Sequence, residues 1–133
     1  SSDNTEQIKK SFEHKIVVIY HLASLLDNLN DVLKEKLTLI LEKGRSEYNI
    51  NILIIEENYL LLQESYQTWF KTNVDNSHFI WLGHGINDQY IFNINDRCIF
   101  EKISNDFAVV SANGVVNKVK FISEGNDNNE SFS

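Results

Sequence analysis

Apolar residues along this chain change their spacing several times, and each change marks an element. Ile16 to Ile19, inside Lys15-Ile-Val-Val-Ile-Tyr-His-Leu22, form a continuous β-branched run. Such a run predicts a parallel strand covered on both faces. Leu22, Leu25, Leu26 and Leu29 then recur at helical spacing and predict a short amphipathic turn. Asn30 is placed to cap a longer helix whose stripe is Leu33, Leu37, Ile40, Leu41 and Gly44. Lys34, Glu35, Glu42 and Lys43 fall largely off that stripe and read as a solvated face. Ile50 to Ile55, interrupted only by Asn51, predicts a second strand. A third helix is expected over residues 58–71, with Leu61, Leu62, Ser65, Tyr66, Trp69 and Phe70 on its apolar side.

Past Phe70 the pattern turns polar, and Thr72 to Ser77 reads as a loop. His78 to Leu82 predicts a third strand, left through Gly83-His84-Gly85 as a tight turn. Asn87 is placed to cap a short helix carrying Tyr90, Ile91 and Phe92. Phe107–Ser111 and Val115–Ile122 flank Asn113-Gly114, a tight-turn pair, and so predict a hairpin. Val119 and Phe121 alternate with Lys118 and Lys120, which predicts one wet face for it. Residues 1–14 read as a polar lead-in and 124–133 as a disordered tail. The expected whole is one α/β domain over 15–123, with a mostly parallel sheet, flanking helices and a C-terminal antiparallel hairpin.

Composition narrows the function classes. The 133 residues are enough for one domain burying roughly two-thirds of its unfolded surface. A hydrophobic content of 42% with no proline and five glycines is that of a globular chain. The start at Ser1-Ser2, without methionine, is expected of a piece of something longer. No apolar run approaches the roughly 20 residues of a membrane span, and no signal-peptide pattern is visible. Cys98 is a single cysteine, which fits a reducing compartment and reads most simply as a small buried hydrophobe. A net charge of −7, from 19 acids against 12 Lys and Arg, offers no basic stripe for nucleic acid. Protein partners or small ligands are the remaining classes.

Open α/β sheets bind ligands beyond the carboxyl ends of their strands. Three such ends are visible: Tyr20-His21, Glu56-Glu57-Asn58 and Gly83-His84-Gly85. Phosphoryl transfer from ATP needs a phosphate cradle, a magnesium ligand and a group orienting water. The G-x-x-x-x-G-K-[ST] cradle occurs nowhere in the chain. Neither Tyr20 nor His21 suits magnesium, which prefers carboxylates, phosphates and water. Glu56 and Glu57 read as solvated acids at a helix N-terminus, where the dipole favours them. His78 and His84 lack further ligands at zinc spacing, and His14 and His21 are isolated, so no metal site is expected. Arg45 is a candidate arginine finger, although a cation near a helix C-terminus is the plainer reading. Trp69, Phe70 and Trp81 are expected in the core, with one of them available to line a groove for a helical partner.

Element order and residues together resemble a known family. The chain looks like the second half of a RecA-like ATPase domain of the FtsK/SpoIIIE class. More narrowly, it resembles the C-terminal module of EssC-type coupling proteins of Gram-positive type VII secretion systems. "KIVVIYHLASLL" matches the Walker B strand, with Tyr20 and His21 in place of its two acids. "KLTLILEKGRSEYNINILII" matches the helix and strand that follow. "WFKTNVDNSHFIWLGHGINDQYIFNI" matches the next strand and its Gly-x-Gly-x-x-Asp-Gln tail, and "DFAVVSANGVVNKVKF" the closing hairpin. The resemblance covers about residues 15–123, and the half bearing Walker A is missing.

That resemblance implies a degenerate, non-hydrolysing module with no catalytic residues and no cofactor of its own. ATP and magnesium would enter only if an upstream half supplied a site. It implies a cytoplasmic domain of a membrane-anchored protein, without direct membrane or nucleic-acid contact. Its implied partners are secreted helical-hairpin proteins of the WXG type, other secretion components and preceding ATPase modules of the same chain. The residues expected to meet them, beside His21, are Leu22, Trp81, His84, Asn87, Asp88 and Gln89. An exposed sheet edge is expected to favour self-association. The second expectation is the nucleotide-binding half of a larger ATPase or DNA translocase.

Overall fold

The computed structural model describes residues 11–94 and 106–122. Cys98 and the expected tail fall outside them. The chain divides into two compact units, Ser1–Val74 and Asp75–Ser133.

The first unit is a β-α-α-β-α-α arrangement. Strand β1 (Lys15–Tyr20) leads into α1 (Leu22–Asn28) and α2 (Asp31–Glu47). Strand β2 (Ile50–Ile55) follows, then α3 (Asn58–Glu64) and α4 (Thr68–Asn73). The two strands pair in parallel from Lys15↔Ile50 to Tyr20↔Ile55. Asn30 caps α2 as expected, its Oδ1 accepting the Leu33 N–H at 3.0 Å. Leu41 and Gly44 are the buried positions of the α2 stripe, and α2 packs against β2 and α4.

One helix was expected where two occur. Ser65 turns its hydroxyl onto Leu62 O at 2.6 Å, a local bond that competes with helix continuation. Gln67 N–H closes the turn onto Glu64 O. The new axis of α4 buries Trp69 and Phe70 edge to face, while Tyr66, expected on the apolar side, stays exposed. Helix α4 also runs to Asn73, two residues into the expected loop.

The second unit is a three-stranded antiparallel sheet in the order β3 (Phe79–Leu82), β4 (Phe107–Ala112), β5 (Val115–Lys120). Among the described residues the parallel sheet therefore has two strands, and β3 pairs with β4 rather than with either of them. Its alternation explains this: Phe79 is buried and Trp81 half-buried, while Ile80 and Leu82 are exposed. A strand covered on one face suits an antiparallel sheet. Phe79, Ile86 and Val109 form the core here, with Trp81, Phe92, Ile94, Phe107 and Val116 packed on it. Asn113 (φ 52) and Gly114 (φ 78) make the expected hairpin turn.

Register reverses the expected wet face of the hairpin. Val109 lies opposite Lys118 and Phe107 opposite Lys120, so both lysines share the packed face. Lys118 reaches the rim, its Nζ 4.3 Å from the Phe107 ring centroid. Val115, Val119 and Phe121 lie on the opposite, open face with Ile80 and Leu82.

Candidate functional site

Parallel pairing sets Tyr20 beside Ile55, so the residues just beyond them meet. His21 Nδ1 lies 3.3 Å from Glu56 Oε1. Glu56 Oε2 accepts the Ala23 N–H at 3.0 Å, and Oε1 accepts the Glu57 N–H at 2.9 Å. Only 1% of the Glu56 side chain is exposed, against 47% for His21. Burial by itself would raise the Glu56 carboxyl, but the Ala23 and Glu57 N–H bonds and the His21 contact outweigh it. The group is held below the usual carboxylate range. Glu64 moves the other way, raised by burial and then by the charges of Asp27 and Glu56.

The expectation of two solvated acids is therefore corrected for Glu56. It sits directly before the N-cap of α3, as expected, but its buried carboxylate also closes the first turn of α1. The signal was present in the sequence: a βαβ unit places its strand ends side by side, so the residue after β2 must meet the residue after β1. His21 adopts a left-handed conformation (φ 57) to begin α1, and its ring lies tilted at 60° against that of Tyr20, centroids 4.1 Å apart.

This arrangement orients an imidazole and closes a helix end. It does not cradle phosphate, since the Ala23 N–H that would point at an anion already carries the Glu56 carboxylate. The carboxylate bonded to His21 is committed to two backbone donors. These residues do not fit a Mg-ATP site. Among the described residues no group of three or more His, Cys, Asp and Glu side chains is placed to hold a metal ion. None of the described helices is long and apolar enough to cross a membrane.

The residues expected at a partner surface fall in both units. In the first, Leu22 is fully buried and belongs to the core. Arg45 is exposed in the last turn of α2, where its charge complements the helix dipole. In the second, His84 and Asp88 are exposed, while Trp81 is half-buried and donates from Nε1 to His84 O at 3.2 Å. Asn87 lies half-buried inside a 3₁₀ turn (Ile86–Asp88) entered through Gly85, in place of the expected capped helix. Gln89 is 3% exposed. Its Oε1 accepts the Ile91 and Phe92 N–H groups and its amide donates to Phe92 O, so it shapes its own loop and offers no surface contact.

Comparison with protein-family models, curated proteins and solved structures gives no match to this chain.

Proposed function

We propose that this chain is a non-hydrolysing protein-recognition module, derived from the RecA-like domain of a type VII secretion coupling ATPase. Its partners on this reading are secreted helical-hairpin proteins of the WXG type. The observation that carries the recognition reading is the outer face of the β1–β2 sheet. Ile16, Val18, Tyr20, Leu53 and Ile55 lie on it together and are 41 to 71% exposed. Contiguous apolar surface of this kind is what a helical partner covers.

Two further features support the reading. The first unit keeps the strand–helix–strand order of the resemblance with a parallel register. Its strand end holds Tyr20 and His21 where a motor needs acids, and Glu56 closes the helix end that would attract phosphate. Calorimetry of the full chain tests both halves of the proposal. A purified WXG-type protein is expected to bind, and Val18→Asp or Leu53→Asp to weaken it more than about tenfold. Mg-ATP is expected to give no heat at millimolar concentration. Heat with Mg-ATP, or partner binding unmoved by both substitutions, overturns the reading.

A further inference from the structure

Neither outer edge of the two-stranded sheet has a partner among the described residues, and the pattern along the β1 edge fits one occupant. Lys15 N–H donates to Asn49 O at 3.1 Å and His21 N–H to Ile55 O at 3.0 Å. Alternate residues of a strand face alternate sides in the plane of the sheet, so 15, 17, 19 and 21 direct their backbone groups at β2. Ile16, Val18 and Tyr20 direct theirs the other way, where no described strand pairs with them. Their side chains are also exposed. The far edge of β2 differs: it belongs to Ile50, Ile52 and Ile54, half-buried residues that line a cavity of about 130 Å³ with Trp69 and Val74. Strand β1 lacks the usual guards of a free edge, having no proline, no bulge and only Lys15 as a charged residue.

We propose that this edge pairs with β1 of a second copy of the chain, antiparallel about a two-fold axis through Val18. Two strands satisfy each other only where outward-directed backbone groups meet. Val18 opposite Val18 sets Ile16 opposite Tyr20 of the second copy, and Tyr20 opposite its Ile16. All three open N–H groups and all three open carbonyls on each strand then have partners. A slip of one residue sets outward-directed groups against inward-directed ones. A slip of two leaves either Ile16 or Tyr20 unmatched.

Charge agrees with this occupant. The antiparallel arrangement carries the cationic Lys15 end of each β1 towards the strand ends of its mate, where the exposed Glu57 follows β2, the Glu56 carboxylate being already buried. The contact is isologous and closes on itself, as two-fold pairs do. The inference rests on the strand edge and stands apart from the recognition reading, which rests on the sheet face.

Sedimentation equilibrium of the full chain, from micromolar to millimolar, tests it. The wild type is expected to dimerise. Val18→Pro removes the central outward N–H, and proline is tolerated at a strand edge. It is expected to weaken the dimer more than about tenfold while the far-ultraviolet dichroism is unchanged. A cysteine pair reads the register even if that variant fails to fold. In a Cys98→Ser background, Val18→Cys is expected to cross-link under mild oxidant, since its mate lies directly across the axis. Val17→Cys, facing Ile19 of the second copy, is expected not to. A monomer throughout, a dimer unmoved in folded Val18→Pro, or cross-linking at position 17 as fast as at 18 overturns the proposal.

Discussion

Glu56 Oε2 holds the Ala23 N–H at 3.0 Å, so the end of the second strand secures the first turn of the helix that follows the first. The bond spans 33 residues and joins the two ends of the βαβ crossover. Removing the carboxylate orphans two backbone donors, Ala23 and Glu57. Glu56→Ala is expected to cost about 1–3 kcal/mol, and Glu56→Gln less, because the amide keeps one acceptor. The pH dependence has a definite sign. A carboxyl lowered on folding contributes stability above its unfolded pKa and loses it as pH falls through the folded value. Chemical denaturation from pH 7 to 3 is expected to show wild type losing its advantage over Glu56→Gln below pH about 4. Parallel curves would mean that the carboxylate's charge does not matter.

Two glycines are expected to respond oppositely to alanine. Gly44 is helical, and an added Cβ would meet Ile50 Cβ at 3.5 Å and Ile40 Cγ2 at 3.6 Å, ordinary packing distances. Gly44→Ala is expected to stabilise by up to about 1 kcal/mol through helix propensity. Gly114 has φ 78 and nothing within 4 Å, so its substitution meets no clash but a strained backbone. Gly114→Ala is expected to destabilise by about 1–2 kcal/mol. Thermal melts of the two variants decide, and shifts of the same sign would refute the pairing.

Local patterns were legible where one residue's chemistry fixes its own neighbourhood. Asn30 reads as a cap and is one. The apolar run at Ile16 to Ile19 pairs as a parallel strand, but the expected cover on both faces fails, since Ile16 and Val18 are 71% and 56% exposed. Features set by pairing were not. Alternation of Lys118 and Lys120 with Val119 says that two faces differ, but only the register with Val109 and Phe107 says which is packed. The lysines then lie on the packed side because long aliphatic stems reach its rim. The break at Ser65 turned on a hydroxyl choosing Leu62 O over solvent, a choice that apolar periodicity does not encode. At the strand ends, Tyr20 and His21 were legible as the residues that close β1 and open the helix after it. The burial of Glu56 follows from the parallel pairing, which brings Ala23, 33 residues earlier, to its carboxylate; the two adjacent acids alone do not show it.

In the second unit, Asp75 organises a turn that ties to the hairpin. Its Oδ1 accepts the Ser77 hydroxyl at 2.6 Å and the Ser77 N–H at 2.8 Å, and Oδ2 lies 2.8 Å from His78 Nδ1. Asn113 N–H donates to His78 Nε2 at 3.2 Å, which fixes the neutral ring with its proton on Nδ1, donating to Asp75. The carboxyl is lowered to about 2, first by the Ser77 hydroxyl, then by the Ser77 N–H, with His78 contributing less. Because it is lowered, its contribution is present above the unfolded pKa and is lost as pH falls towards about 2. Ser77→Ala is expected to raise the Asp75 pKa clearly and His78→Ala to raise it less, read by carboxyl-carbon NMR titration. A Ser77→Ala protein whose Asp75 still titrates at about 2 would show that the hydroxyl is not what holds it there.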